Sequence, residues 1–401
     1  MRTVLLVILA VGLAGLGPTL GRQPAAGPPE HAPEPSAAKI TAVNDPDKFA
    51  WDLFLEINRP VGAEPRAVRW DEWGDQAVMY TDPNAPPVWP GAKKARNLRP
   101  SRQHELRRLQ SAPLFAAPGP APSVPDRGPD SEEVRMNRAG FDYVVQNGLW
   151  YQQGVIKQAR APGGIKFPTG AISIKALWKV ITEADKPRYH WDEYQPPPVP
   201  NQPNQPPKQI IGLIALHVTS KVLPNWHWAT FEQEDNPAFA DLIGAHDSYG
   251  MIPADVKPNP QPDKGYKTAL KPELLARMKA AGLDPAWGHY RLKGAQIDFT
   301  DATGRPTILG NSITEDGFVA TSSCVTCHAR ATAMFQSGGG GRPAFTHLPV
   351  FNPAGQSDNG TPKPEWFWGP GTPAPPIFYQ VDFLWELSFA PKYRTVPEDT
   401  K

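Results

Sequence analysis

Residues Ile210 to Val218 read IIGLIALHV, a mostly apolar run with β-branched side chains that is typical of a central β-strand. After the turn sequence Leu223-Pro224-Asn225, residues Trp226 to Phe231 read WHWATF and alternate along the chain. Because a short turn joins two strand-like runs, the sequence predicts a β-hairpin in the middle of the chain.

Segments on both sides of this hairpin predict a mixed fold. Residues Ile172 to Val180 alternate apolar with polar side chains, which predicts a half-buried strand. Asp45-Pro46 has the form of a helix N-cap followed by proline, and the apolar spacing from Phe49 to Asn58 predicts the first ordered helix. Lys271-Pro272 opens a second short helix that Gly282 can close. We therefore expect an α+β protein with a central antiparallel β-rich region and an N-terminal helix.

Proline is the unusual residue of this chain, at 50 of 401 positions, against a usual share of roughly 5%. The 13 Trp, 16 Phe and 10 Tyr residues supply the large apolar side chains of a core. The prolines therefore mark long irregular connections and not global disorder. Only the Pro/Ala-rich segment 22–43 is expected to be a flexible tether.

The N-terminus has the layout of a secretory signal peptide. Met1-Arg2 precedes an almost uniformly apolar stretch that runs to Gly17. Cleavage after Gly21 would place the small residues Thr19 and Gly21 at the positions that signal peptidase reads. We expect residues 1–21 to be removed and the mature protein to be periplasmic or secreted, without stable membrane insertion. An uncleaved anchor is the alternative, although the apolar span is shorter than the roughly 20 residues that cross a bilayer.

The charge balance argues against nucleic acid as a partner. The chain has 41 Lys plus Arg and 40 Asp plus Glu, and phosphate binding needs a basic surplus. A basic cluster does lie between Lys93 and Arg108 and includes Arg96 and Arg99. We interpret it as a solvated helix face, and a docking site for an acidic redox partner is the alternative.

The only two cysteines of the chain, Cys324 and Cys327, stand directly before His328. This C-x-x-C-H spacing is the signal for attachment of a c-type haem. The two thiols reach the two vinyl groups on one edge of the porphyrin, and the next residue turns its imidazole to the iron. We predict one covalent haem c on Cys324 and Cys327, with His328 as the proximal iron ligand. A helix capped by Ser322 or Ser323 would carry the motif and run to Phe335.

Three other interpretations of the cysteine pair are weaker. A redox-active disulfide would stand in a βαβ context, which the flanking sequence lacks. A zinc site would have to add His347, and no second closely spaced ligand pair is present. A structural disulfide between Cys324 and Cys327 would close so small a loop that it would stabilise little.

The ligand on the distal side of the haem is open. Small cytochromes c use a methionine downstream of the motif, but the only later methionine is Met334, which we expect on the same helix as His328. His217, within the first apolar run, is the candidate distal ligand. A core histidine bonded to a carbonyl, or an open sixth position, are the alternatives. His227 and His347 are interpreted as surface histidines or as neighbours of the ligands.

Acidic and aromatic residues near the hairpin invite functional roles as well. Glu232, Glu234 and Asp235 could supply a distal acid or base, but we interpret them as a solvated strand end. The tryptophans of the strand-like runs, Trp178 and Trp228 among them, are interpreted as core residues and not as an electron relay.

The chain resembles a group of large bacterial mono-haem c-type cytochromes of unassigned function. The resemblance covers most of the mature chain and rests on Phe49-Ala50-Trp51, on residues 174–178, 212–217 and 226–232, on the haem motif, and on residues 382–385. It implies export, haem and redox chemistry, and it names no substrate. Similar proteins have an apolar residue in place of His227, which favours His217 as the ligand.

Together these features predict an α+β region, residues 44–310, that packs over the haem, and a cytochrome c-like haem-attachment region, residues 311–401, whose motif is helical. We expect single-electron transfer to an exported redox partner protein. A peroxidase-like haem enzyme with an open sixth site and a small-molecule oxidant, or a haem-based ligand sensor, are the alternatives. Catalytic residues are not identified by the sequence.

Overall fold

The computed structural model of the chain describes residues 35–62, 66–92, 96–100, 131–198, 204–236, 247–251, 268–316, 318–337, 343–351, 357–369, 376–388 and 390. These residues all belong to one compact unit. The expected signal peptide, residues 1–21, and residues 22–34 of the expected tether lie outside these ranges. Within the described ranges, no helix combines the length and apolarity needed to cross a bilayer.

An antiparallel sheet of eight strands is the centre of the fold, in the order β1-β3-β4-β6-β7-β8 with β2 on β3 and β5 on β6. The strands are β1 (Gly74–Asp75), β2 (Arg99–Pro100), β3 (Ser131–Met136), β4 (Ile172–Val180), β5 (Trp191–Tyr194), β6 (Gln209–Ser220), β7 (His227–Gln233) and β8 (Tyr290–Gln296). The predicted hairpin is confirmed as β6 and β7, and the predicted half-buried strand is β4.

Short helices and a second, smaller sheet surround the central sheet. The helices of the described ranges are α1 (Pro35–Asn44), α2 (Pro46–Ile57), α3 (Gln76–Met79), α4 (Arg138–Gln146), α5 (Gln152–Arg160), α6 (Pro272–Ala280), α7 (Cys324–Ala329), α8 (Glu365–Trp368) and α9 (Trp385–Ser388). The smaller sheet has the order β10-β9-β11, formed by β9 (Thr332–Ser337), β10 (Pro343–Thr346) and β11 (Tyr379–Gln380). The α+β class with N-terminal helices is confirmed.

The helix predicted after Asp45 is confirmed as α2. The Asp45 side chain accepts the backbone N–H of Lys48 at 3.0 Å, and proline occupies the first helical position. One side of α2 is buried against the sheet, where the rings of Phe54 and Phe231 lie 4.4 Å apart. The second predicted helix, α6, is also present, and Gly282 follows it at a φ of +75°.

The two faces of the central sheet differ in what covers them. Leu216 and Val218 of β6 belong to the hydrophobic cluster that includes α2. Side chains alternate along a strand, so His217 points to the opposite face. Cross-strand pairing places Lys175 of β4 and Thr230 of β7 beside His217. Residues 311–314 and the cysteine motif lie over this second face.

Three local expectations are corrected by the structure. Residues 35–43 of the expected tether belong to helix α1, and Ala38 and Ala42 of that helix are buried. The helix of the cysteine motif ends at Ala329, so Met334 lies on strand β9 and not on that helix. Pairing with β10 and β11 is the physical reason, because it draws residues 332–337 into an extended conformation.

The basic cluster is also different from the expected solvated helix face. Arg96 is buried, and its guanidinium pairs with the carboxylates of Asp71, Glu133 and Asp192. Arg99 lies on strand β2 and pairs with Glu132. Arg96 and Arg99 therefore link segments of the fold through ion pairs, and they do not belong to a solvated helix face. The other basic residues of the cluster lie outside the described residues.

Candidate functional site

Helix α7 brings both cysteines and His328 onto one helical turn. Ser323 is the N-cap, and its hydroxyl accepts the backbone N–H of Thr326 at 3.4 Å. Residues three and four positions apart share one face of a helix, so Cys324, Cys327 and His328 point in a common direction. Neither cysteine forms a disulfide, and both residues are half-buried. The arrangement places two thiols and one imidazole on one side of the helix.

Gln296, the last residue of β8, attaches α7 to the central sheet. Its side-chain oxygen accepts the backbone N–H of Val325 at 3.0 Å, and its amide nitrogen donates to the Ser323 hydroxyl at 3.0 Å. The same nitrogen also donates to the carbonyl of Thr307. The first turn of a helix has unpaired N–H groups, and Gln296 and Ser323 supply acceptors for two of them, on Val325 and Thr326.

The His328 ring is oriented by a backbone carbonyl. Its Nδ1 lies 2.7 Å from the carbonyl oxygen of Phe383. A carbonyl can only accept, so Nδ1 carries the proton and Nε2 keeps a free lone pair. Burial lowers the pKa of His328 to about 4, although the bond to Phe383 opposes the shift. The imidazole is therefore neutral at pH 7, and within the described residues no hydrogen bond is made by Nε2.

The carbonyl of Phe383 is presented by an unusual turn. Asp382 and Phe383 have φ values of +52° and +70°, in the left-handed region that non-glycine residues avoid. Each such residue costs roughly 1–2 kcal/mol. Both are buried and held by their surroundings, and this geometry directs the carbonyl towards His328.

Trp228 of strand β7 packs on the His328 ring. The two ring centroids lie 4.3 Å apart with an interplanar angle of 42°. The indole itself is buried and fixed, because its Nε1 donates to the carbonyl of Asn225 at 2.8 Å. Trp228 therefore limits the orientations that the His328 ring can adopt while its Nδ1 is hydrogen-bonded to the Phe383 carbonyl.

His217 faces the same region from strand β6. Its Nε2 lies 2.8 Å from the hydroxyl of Thr314. Burial, together with the charges of Lys175 and of His328, lowers the pKa of His217 to about 3. His217 is thus a neutral, half-buried imidazole bonded to a hydroxyl and not to a carbonyl.

Glu315 is a titratable residue of this region that the sequence did not indicate. Burial raises its pKa to about 7, and the charge of Glu232 adds to the shift, while the Asn311 N–H and Lys175 oppose it. Its carboxylate accepts the backbone N–H of Asn311 at 2.7 Å. Burial raises the pKa of both Cys324 and Cys327, and the charge of Glu315 adds to the shift. A carboxyl group that titrates near neutral pH therefore stands beside the motif. The only feature of the sequence that could indicate Glu315 is its position shortly before Cys324.

The acidic residues at the end of β7 have structural roles. Glu232 is fully buried, not solvated as expected, and accepts the backbone N–H of Ser312 at 2.6 Å. Glu234 pairs with Arg188 and Arg291. Asp235 pairs with Arg188 as well. These bonds fix the C-terminal end of β7 and the loop at residue 312.

The other two histidines that the sequence analysis singled out, His227 and His347, bond to backbone carbonyls. His227 is fully buried, not on the surface, and its Nε2 bonds the carbonyl of Pro46 at 2.9 Å. His347 bonds the carbonyl of Leu348 through Nδ1. Trp178 is buried and donates from Nε1 to Glu133 at 3.0 Å, as expected for a core residue.

The structure weighs against the other uses of the cysteine pair. Within the described residues, no group of three His, Cys, Asp or Glu side chains is arranged to hold a metal ion. Burial raises the pKa of Cys324, and it raises that of Cys327 to about 11. Redox-active cysteine pairs require the opposite shift, since the thiolate is the reactive form.

Comparison of the chain with protein-family models, with curated proteins and with solved structures finds no match. The function of the site therefore has to be argued from its own geometry.

Proposed function

We propose that this protein is an exported mono-haem c-type cytochrome that transfers single electrons to an exported redox partner. Cys324 and Cys327 would hold the haem through two thioether bonds, and His328 would supply the proximal ligand. A bound haem supplies a one-electron couple between ferric and ferrous iron. The resemblance to large bacterial mono-haem c-type cytochromes supports the same proposal.

The bond between His328 and the carbonyl of Phe383 is the observation that carries the proposal. Iron-binding histidines usually donate their second ring N–H to a carbonyl or carboxylate, which fixes the tautomer and makes the ligand more basic. At 2.7 Å this bond leaves Nε2 as the only atom of the ring that can bind iron. A free imidazole nitrogen beside two free thiols fits a haem c better than it fits zinc or a disulfide.

His217 supports the carrier over an enzyme. Its neutral imidazole lies on the same sheet face as Trp228, which packs on His328, so His217 would be suited to be the second iron ligand. Two imidazoles would saturate the iron and leave no position for a substrate. Ligation requires either Nδ1 of His217 or loss of the bond from Nε2 to Thr314.

The same bond to Thr314 favours a second candidate function. If His217 stays on the Thr314 hydroxyl, the sixth position of the iron is open, as in peroxidase-like enzymes. Glu315, with its pKa near 7, is then the residue of this region best suited to act as a proton donor or acceptor.

Optical and electron paramagnetic resonance spectra of the purified ferric and ferrous protein test these two functions. The carrier predicts a low-spin ferric signal and a ferrous spectrum that carbon monoxide does not change. A high-spin ferric signal, together with carbon monoxide binding or reaction with peroxide, would reject the carrier and support the enzyme.

A further inference from the structure

The carbonyl that orients His328 is itself held by a buried ion pair. Asp382 precedes Phe383, and both residues are in the left-handed conformation. The Asp382 carboxylate accepts from Lys221 Nζ at 2.5 Å through one oxygen and from the backbone N–H of Phe167 at 2.7 Å through the other. Both oxygens of the carboxylate are therefore used to hold this turn in place.

Lys221 connects the turn to the central sheet. It follows strand β6 directly, and its backbone N–H donates to Ala171 O at 2.9 Å. Its ammonium group also donates to the carbonyl of Pro224, in the β6–β7 turn, at 2.8 Å. Both members of the pair are buried, with side-chain exposures of 10% for Lys221 and 7% for Asp382. The ion pair thus joins the hairpin to the turn that contacts His328.

A buried pair in this place needs a reason beyond stability. Burial raises the pKa of Asp382 although Lys221 opposes the shift, so the charged form is costly to bury. Apolar residues could join the two segments without that cost. A charge-assisted hydrogen bond adds what apolar packing lacks, which is a fixed direction.

We propose that Asp382 and Lys221 are positioning residues that set the strength of the bond between His328 Nδ1 and the Phe383 carbonyl, and through it the reduction potential of the haem. This inference rests on the proposed haem, and it identifies Asp382 and Lys221 as residues that tune the reduction potential of that haem. A stronger bond makes the imidazole a better electron donor, which favours ferric iron and lowers the potential. Loosening the turn should therefore raise the potential.

Two substitutions separate positioning from simple charge effects. Asp382→Asn removes a negative charge and Lys221→Met removes a positive one, so charge alone predicts shifts of opposite sign. Positioning predicts that both substitutions raise the potential, because both release the turn. Lys221→Arg keeps the ion pair and should stay close to the wild-type potential. Asp192→Asn is the matched control, since it neutralises a carboxylate that pairs with the buried Arg96.

Potentiometric titration of the haem-loaded wild type and variants measures these shifts in reduction potential. A rise in potential for both D382N and K221M, with K221R and D192N unchanged, supports the inference. A fall for K221M, or no change in either variant, overturns it.

Failure of the proposed function would be visible separately. If the wild-type protein carries no haem, the proposed cytochrome is rejected, and the ¹⁵N NMR signals of the His328 ring then test the ion pair alone. A proton held on Nδ1 in the wild type but exchanging between the two nitrogens in K221M supports positioning. Identical signals in both proteins overturn it.

Discussion

The side-chain oxygen of Gln296 lies 3.0 Å from the backbone nitrogen of Val325, which joins the last residue of strand β8 to the first turn of the cysteine helix. The two residues are 29 positions apart in the sequence. Since Gln296 also donates to the Ser323 hydroxyl, a single side chain fixes the helix start in two directions. The thiols are thus presented from a rigid sheet and not from a free loop.

We predict that Gln296→Leu lowers the free energy of unfolding by about 2 kcal/mol, because it leaves the buried N–H of Val325 without an acceptor. Chemical denaturation of both proteins measures this difference. Gln195→Leu is the control, since Gln195 is exposed and should change stability by less than about 0.5 kcal/mol. Equal effects of the two substitutions would show that Gln296 does not fix the helix.

His217→Ala should convert the ferric protein from low spin to high spin and allow carbon monoxide to bind the ferrous form. The reason is that the substitution removes the proposed second imidazole ligand. Thr314→Val is the matched variant, because it removes only the hydroxyl bonded to His217 Nε2, and it should stay low spin. Unchanged spectra in H217A would remove His217 from the coordination sphere.

The reduction potential should fall as the pH rises through about 7. Burial holds the pKa of Glu315 near 7, so its carboxyl group is neutral below this pH and negative above it. A negative charge beside the haem favours ferric iron. The other charged side chains that act on Glu315 or on the cysteines are Lys175, Glu232 and Arg330. Potentiometry at pH values on both sides of 7 should show the slope, and Glu315→Gln should flatten it. The same slope in E315Q would exclude Glu315 as its cause.

His227 should make the fold less stable in weak acid. Burial lowers its pKa from 6.5 to about 4 in the folded protein, so the unfolded chain takes up the proton first as the pH falls. Stability from this residue is therefore complete above pH 6.5 and is lost between 6.5 and about 4. At about 1.4 kcal/mol per pH unit, the loss is of the order of 3 kcal/mol.

Across that pH window, the free energy of unfolding of His227→Leu should depend less steeply on pH than that of the wild type, by up to the contribution of one proton. Denaturation curves recorded at several pH values measure this dependence. Phe49 packs on the His227 ring at 4.7 Å, so an apolar side chain suits the site. An identical pH dependence of the variant and the wild type would show that His227 is not the residue that titrates.

The parts of the fold that the sequence predicted correctly are those with local signals. The alternation of residues 172–180 and the turn at Leu223-Pro224-Asn225 carry strand periodicity within a few positions, and both elements are present. The N-cap of α2 is local as well. The helix expected to reach Phe335 ended early, because strand pairing to residues 343–346 and 379–380 decided the conformation of that segment.

The supporting residues of the site could not be predicted, because their partners are distant in sequence. Phe383 is 55 positions from His328, and Thr314 is 97 from His217. Arg96 was interpreted as solvated for the same reason, since its partner Asp192 lies 96 positions away. No periodic pattern reports such contacts. By contrast, Cys324, Cys327 and His328 lie within five consecutive positions, so this motif can be recognised from the sequence alone.

The most direct test of the proposed cytochrome is the pyridine haemochrome spectrum and intact mass of the protein exported from a host that matures c-type haem. The account predicts one haem per chain, joined by two thioether bonds and retained after denaturation in acid solvent. Cys324→Ser and Cys327→Ser should each lose one of these bonds. A mature wild-type chain without haem, or with haem that acid solvent extracts, would contradict the account.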